Sequence, residues 1–533
     1  MTLLDDLKMY GRFGFGLKTF LKEPITVAQA AAAVRSRLAT REDNFLRLLQ
    51  RGVFQYPRSP YLPLFRLARC EFGDVSDRVR RHGLEDTLRV LREAGVYITF
   101  EEFKGRAPIV RAGHEIPVLA HDFDNPWLPQ HYEVQSGGST GAGTRVHSDL
   151  GHLAVRATHD ALAYDAHGVL DAPVGIWRGV LPDGSGLNTT LSLCRCGRPP
   201  ARWFTPGTYR TLDVSTAKYR LATYLTVGLA RAYGVRVPWP EHTPVADAGR
   251  IVAWASQTVR EHGRCVLAMV ASRALRVSVT AREQGIDLSG VTFVISGEPV
   301  TAAKVAGITA SGASYFTTYG FSEAGRIGRG CCAPVTANDV HLMTDMCAVI
   351  AHPRVLPDGG QVPALNVTSL LPSTPKILVN AESDDYGILE ERTCGCPLEQ
   401  LGYTTHLREI RSFRKLTGEG VTLPGSDLLH ILETVLPARF GGSALDYQLI
   451  EEEDKAGFTS VTLAISPRVS IADESLVIDA VLQAVQQSSS GGHIASDMWR
   501  QSGNLRIARM EPVLTARGKL LPLHLPSRHR NAP

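Results

Sequence analysis

The stretch from Ile251 to Pro299 does most to restrict what this chain can fold into. "IVAWASQTVREHG" places apolar residues at three- and four-residue spacing and closes on a glycine, which predicts a helix. "RCVLAMVAS" follows as a short uninterrupted apolar run. "GVTFVISGEP" then reads as a strand ending in a glycine turn. Helix, buried run, strand and glycine turn in succession are the signature of an α/β sheet, in which ligands collect at the carboxyl ends of the strands.

The rest of the chain fits around that unit. At 533 residues it exceeds one ordinary core, and 44% apolar with 21% charged residues is the make-up of a globular protein of two or three domains. The first 130 residues carry helical signals such as "LEDTLRVLREAG" from Leu84. From about Ser412 the texture changes. "LLHILETVLPARFGG" predicts a helix, "DYQLIEEED" and "SVTLAISP" strands, and "DESLVIDAVLQAVQQ" an amphipathic helix beginning near Asp473. "SSSGGH" at Ser488 reads as a flexible connector. These elements predict a small α+β domain.

A net charge of +4 with scattered arginines and lysines excludes a nucleic-acid footprint. No run approaches the roughly 18 apolar residues of a membrane span. "LATYLTVGLA" from Leu221 is about half that length and reads as a buried helix. Asp5, Asp6 and Lys8 interrupt any signal-peptide core, so a cytoplasmic location is expected. Nine cysteines, several in tight pairs, favour thiols or metal ligands over a disulfide framework.

Three stations carry chemistry. "VQSGGSTGAGTRVHSDL" from Val134 offers hydroxyls and glycine-freed amides, the means of holding phosphate, but lacks the Gly-Lys-Ser/Thr ending of a P-loop. "ISGEPV" from Ile295 is a strand-ending turn that could frame a flat heterocycle. "TTYGFSEAG" from Thr317 sets Glu323 after a turn glycine and beside Ser322, where a carboxylate could hold magnesium against a nucleotide.

In this order, with a later Asp-x-Gly and a near-terminal Gly-Lys, the stations resemble the adenylate-forming superfamily of acyl-CoA ligases and peptide-synthetase adenylation domains. The nearer likeness is to the phenylacetate-CoA ligase branch. Its loop Ser-Ser-Gly-Thr-Thr-Gly-x-Pro-Thr is matched by "SGGSTGAGT", with Gly143 for proline. The resemblance implies that Ser139, Thr140, Gly141 and Thr144 cradle the phosphates of ATP. Gly297, Glu298 and Pro299 with Tyr319 would hold the adenine, and Ser322 and Glu323 would engage the α-phosphate and Mg²⁺. In "ESDDYGILE", Asp385 would clasp the ribose, with Asp384 as rival. "IRSFRKLTGEG" resembles the family hinge: Arg411 and Gly420 keep its spacing, while Ile410, Phe413 and Arg414 depart from it. Lys519, in "LTARGKLLPLH", stands where the family's catalytic lysine stands.

The implied architecture is α/β: a large N-terminal multi-subdomain domain over residues 1–410, of which 1–130 are a helical lead-in, and a small mobile α+β domain over 411–533. The implied reaction is ATP-dependent activation of an aromatic or acyl carboxylic acid, followed by transfer to CoA. Transfer to a carrier protein or an amine in a biosynthetic pathway is the alternative. A catalytically idle relative that binds nucleotide or acyl ligand is the reading from another class.

The cysteine pairs suggest one more site. "TCGCP" puts two thiols on a tight turn, and "GCCAPVTANDVHL" supplies Cys331, Cys332 and His341. Two thiolates from one turn with a cysteine and histidine from another hairpin would close a tetrahedral, structural Zn²⁺ site. Some phenylacetate-ligase-like proteins have a similar arrangement. The expected ligands are Cys332, His341, Cys394 and Cys396, with Cys331 as alternate. "CRCG" at Cys194 is read as plain buried thiols.

Overall fold

The structure is a computed structural model. It describes the chain apart from residues 1–2, 129–131, 136–144, 207–213, 299, 322, 356–360, 413–414, 419–420, 425–427, 429, 444, 454–457, 489–491, 514–519, 521 and 525–533.

The Ile251–Pro299 stretch folds as its pattern dictates. The helix Ala248–His262 ends on Gly263, whose φ of 76° lies in the left-handed region that glycine adopts without cost. Strands Cys265–Met269 and Val291–Ile295 are buried at every position. The reason is that both faces of the sheet are covered. Cys265, Leu267 and Met269 join one apolar core with helices Ala248–His262 and Ala271–Glu283. Val266 and Ala268 join the other, with helices Leu150–Ala166, Gly184–Arg195 and Val214–Ala232. A strand covered on both faces loses its alternation and reads as a continuous apolar run.

These strands lie in a twelve-stranded sheet. Its parallel half runs Ser314–Phe321, Val291–Ile295, Cys265–Met269, Val174–Trp177, Arg202–Thr205, Pro240–His242 across the sheet. The other half is antiparallel and begins where Ser314–Phe321 turns back into Gly325–Gly330. It continues through Val340–Leu342 and Thr405–Ser412 to Ala381–Glu391, Gln361–Ser369 and Cys347–Val355. The N-terminal helices, among them Leu84–Glu93, share a core with this half through Leu88, Leu91, Leu365 and Val367.

The large sheet ends with Ser412. Beyond it, strands Leu505–Arg509, Thr459–Ile465, Tyr447–Glu453 and Leu523–His524 form a separate sheet. Helices Glu474–Ser488 and Gly492–Ser502 pack on it around Val481, Val485 and Trp499. The start near Asp473 is a side-chain cap, with Asp473 Oδ1 accepting from Ser475 N at 2.8 Å. The flexible connector expected at Ser488 falls on residues 489–491, outside those described; helix is present up to Ser488 and from Gly492.

One expectation needs correcting. "LATYLTVGLA" is helical, within Val214–Ala232, but it is not a buried helix. Leu221, Tyr224, Leu225 and Leu229 are exposed along one face, because only the opposite face, with Ala222, Val227 and Ala230, joins the apolar core. Among the described residues, no helix is long and apolar enough to cross a membrane.

Candidate active site

The carboxyl ends of the parallel strands are tied together by side chains that point across them. Arg178 directly follows Val174–Trp177, and its Nη2 donates to Met269 O at 3.1 Å and to Ser296 Oγ at 2.6 Å. One buried guanidinium thus bridges the ends of three strands. The turn after Val291–Ile295 is set by Gly297, at φ 86°. It brings Glu298 over the start of helix Ala271–Glu283, where the carboxylate accepts from Ser272 N at 2.8 Å and Ser272 Oγ at 2.9 Å. Glu298 therefore caps a helix, and the negative charge suits that helix end.

The Thr317–Gly325 hairpin is equally constrained. Gly320 faces Arg326 and Phe321 faces Gly325 across it. A Cβ at Gly320 would collide with Gly325 O, and one at Gly325, with φ 80°, would lie 2.6 Å from His152 Nε2. His152 itself is pushed down to about 4 by burial, which outweighs nearby Asp149, so its imidazole is neutral at pH 7. Both glycines are steric requirements of the turn that presents Glu323.

Glu323 is buried at 3% exposure and receives an ion-paired hydrogen bond from Lys104 Nζ. Burial pushes its carboxyl up, but Lys104, with Lys376 behind it, outweighs burial and holds it below the ordinary value. Lys104 moves down as well. Burial dominates there, and Glu323 only partly offsets it against the like charges of Arg106 and Lys376. The carboxylate has two cations for neighbours while the ammonium has one anion and two cations. For the ammonium, burial is the larger cause and the two like charges add to it, so both groups shift down.

Tyr319 and Asp385 meet. The Tyr319 hydroxyl donates to Asp385 Oδ2 at 3.0 Å, and Ser412 Oγ donates to Oδ1 at 2.6 Å. Ser412 reaches Asp385 because the two pair across adjacent strands. Burial, then the Asp385 charge, raises the Tyr319 phenol well above its usual range, so it remains a donor. Its neighbour Asp384 is also buried and takes a left-handed φ of 57°. Arg411 is exposed and pairs in register with Tyr386.

Of the residues expected from the sequence, the structure therefore unites Tyr319 and Asp385 directly. It sets Glu323 on the same hairpin as Tyr319, and Gly297 and Glu298 on the neighbouring strand end. Ser139, Thr140, Gly141 and Thr144 lie outside the described residues, as do Pro299, Ser322 and Lys519. The strands flanking the glycine-rich loop pair with Gln135 opposite Arg145. Asp149 then caps helix Leu150–Ala166 through His152 N, 3.0 Å away. Lys104 and Arg178 were missed by sequence reasoning. Neither sits in a motif, and their partners are 219 and 118 residues away.

The cysteine cluster lies in the antiparallel half. Donor atoms of Cys331, His341, Cys394 and Cys396 are all within 4.8 Å of one another. His341 Nε2 stands 3.0 Å from Cys396 Sγ and 3.6 Å from Cys394 Sγ, while Nδ1 is 2.7 Å from Tyr403 O. Tetrahedral ligands about 2.0–2.3 Å from an ion stand roughly 3.5 Å apart, so the donor set fits Zn²⁺. The Tyr403 carbonyl fixes the tautomer that leaves Nε2 free to ligate. Glu399 holds the Cys-x-Cys turn by accepting from Cys394 N and Gly395 N at 2.8 and 2.5 Å. The first cysteine of the Cys331/Cys332 pair enters the cluster. Cys332 donates its thiol to Ala166 O at 3.4 Å and also lies beside the Cys396 thiol, so both members of the pair stand at the cluster. In "CRCG", Cys194 is buried and Cys196 donates to Ala157 O at 3.2 Å, with both thiols raised by burial.

No protein-family model matches the sequence, and no curated protein is similar to it in sequence. Among solved structures, the chain is similar to a 2-hydroxyisobutyryl-CoA ligase in complex with 2-HIB-AMP and CoA. The TM-score is 0.53 at 12% identity, over 95% of this chain and 91% of that one. Weaker similarities include an amide bond synthetase from Marinactinospora thermotolerans, at TM-score 0.38 and 12% identity over 84% of this chain and 86% of that one. An anthranilate CoA ligase in complex with anthranoyl-AMP gives 0.35 and 11% over 87% and 79%. The first of these shows a shared fold over almost the whole chain.

Proposed function

We propose that this chain, which has the fold of the adenylate-forming ligases, activates a carboxylic acid with ATP and passes the acyl group to CoA. The observation that carries the proposal is the Tyr319–Asp385 hydrogen bond, with Glu323 buried on the same hairpin. Three residues assigned separately to adenine, ribose and α-phosphate lie on two pieces of one sheet.

Chemistry follows from what the reaction needs. A carboxylate is a poor acyl donor because its leaving group is oxide. Attack of a carboxylate oxygen on the α-phosphorus forms an acyl–O–P bond, breaks the α–β P–O bond and releases pyrophosphate. Attack of the CoA thiolate on the acyl carbon then forms the thioester and releases AMP. Asp385 accepts from the ribose hydroxyls, and Tyr319 fixes the carboxylate that does so. Ser139, Thr140, Gly141 and Thr144 receive the phosphates through hydroxyls and backbone amides. Glu323, the buried carboxylate of this hairpin, would hold Mg²⁺, which would supply neutralisation of the phosphate charge. Lys519 would stabilise the charge that develops as the two anions meet.

We further assign the chain to the phenylacetate-CoA ligase-like branch, on the "SGGSTGAGT" loop. The Cys331, His341, Cys394, Cys396 cluster, with no ligand position left open, would hold a structural zinc. The test is ATP–pyrophosphate exchange across a panel of carboxylic acids, followed by mass analysis with CoA present. Exchange that depends on the acid, and a thioester product, are expected. ATP binding without exchange for any acid would overturn the proposal.

A further inference from the structure

Behind the Glu323 hairpin lies a concentration of buried arginines that neither the nucleotide nor CoA accounts for. Arg326 and Arg329 project from strand Gly325–Gly330, Arg156 from helix Leu150–Ala166, and Arg178 from the end of Val174–Trp177. Asp160 is the carboxylate at the centre. It accepts from Arg329 Nη2 at 2.8 Å and Arg326 Nη1 at 3.3 Å, and Arg156 Nε is 3.5 Å away. Ser192 Oγ donates to it at 2.6 Å. Arg156 and Arg326 both donate to Thr189 Oγ1, at 2.8 and 3.0 Å. Asp183 is the other acidic neighbour, felt by Arg178. These four guanidiniums, with Arg273 also acting on Arg178, therefore outnumber Asp160 and Asp183.

The imbalance registers on the groups themselves. Burial, then the charge of Arg326, pulls Arg156 and Arg178 down to about 9, so both remain cationic at neutral pH. Among the described residues, the buried Nε atoms of Arg156, Arg178 and Arg329 have no hydrogen-bond partner. An excess of buried positive charge is costly unless an anion completes it. The location says which anion. Arg326 is three residues beyond Glu323, and Arg178 is bonded to Ser296, next to the Gly297–Glu298 turn. The side chains of Arg156 and Arg326 keep 11% and 14% exposure, so the cluster is not sealed.

Resting on the adenylation reading above, we infer that the acid activated here is a dicarboxylic acid, whose second carboxylate is received by Arg156 and Arg326 with Arg178 beside them. Guanidinium groups pair with a carboxylate through charge-assisted hydrogen bonds, and Arg326 stands three residues beyond Glu323.

The experiment pairs acids that differ only in the second carboxylate, glutarate against butyrate and phthalate against benzoate. Pyrophosphate exchange is measured with the full chain and with Arg326→Gln. Equilibrium binding of the same acids without ATP is read by calorimetry, and folding of the variant by circular dichroism. A site built to pair a charged group discriminates strongly against its absence, so kcat/KM for the diacid should exceed that of its partner by about 10²-fold. In Arg326→Gln that ratio should collapse to within about threefold, which a general loss of structure, lowering both rates alike, would not produce. Exchange that favours the monoacids, or equal binding of both acids to the wild type, overturns the inference while leaving adenylation standing. Preferential diacid binding that Arg326→Gln abolishes, without exchange for any acid, supports the anion site and removes the adenylation reading.

Discussion

Lys104→Met probes the least expected feature of the site. The substitution keeps much of the side-chain volume and removes the ammonium from a pair whose side chains are 7% and 4% exposed. Screening by solvent is therefore slight. Deleting one partner of such a pair leaves a buried charge uncompensated, at a cost of about 3–5 kcal/mol. Lys376 still acts on Glu323, which favours the lower end, about 3 kcal/mol. Glu323→Gln should cost less, because a buried lysine already shifted down can lose its proton. The double variant, with both charges gone, should fall within about 1 kcal/mol of Glu323→Gln, which makes the coupling roughly 2 kcal/mol or more. The assay is urea denaturation by tryptophan fluorescence, comparing midpoints at constant slope across the four proteins. If Lys104→Met changes stability by less than about 1 kcal/mol, or if the two substitutions are additive, the buried-pair argument fails.

Four further outcomes are expected. Glu323 has its folded pKa below the unfolded value of 4.5. Its stabilisation is thus complete above that value and lost as pH falls through the folded one, and Glu323→Gln should flatten the acid limb of the stability–pH curve. Asp385→Asn should raise the KM for ATP by about tenfold, the size of one lost charge-assisted hydrogen bond, with Ser412→Ala smaller; pyrophosphate exchange reads both. Lys519→Ala should slow adenylate formation about 10²–10³-fold yet spare thioester formation from a pre-made adenylate, and equal loss in both half-reactions would refute its role. Elemental analysis should find one zinc per chain, lost in Cys331→Ser and Cys394→Ser and kept in Cys332→Ser; chelation should lower the melting temperature.

Adjacent residues decided some of these questions and distant ones the rest. The helix Ala248–His262, the strands that follow it and the glycine turn at Gly297 were legible because periodicity and a positive-φ glycine are properties of a few neighbouring residues. The order of the stations along the chain was legible for the same reason. The amphipathic exposure of Val214–Ala232 was not, since composition alone does not say which neighbours a helix face finds. Nor could spacing choose between Cys331 and Cys332: both lie beside Cys396, and the sulfur of Cys331 falls within 4.8 Å of the donors of His341, Cys394 and Cys396.

By itself the sequence determined the α/β class, the change to other elements after Ser412 and the identity of the chemical groups available. Only the tertiary structure decided their company: Lys104 on Glu323, Tyr319 and Ser412 on Asp385, and three arginines around Asp160. The physical reason is that local conformation depends on interactions within a turn or two of chain. The electrostatics of a buried group depend on whichever charges packing brings within a few ångströms, and here those partners lie tens to hundreds of residues apart.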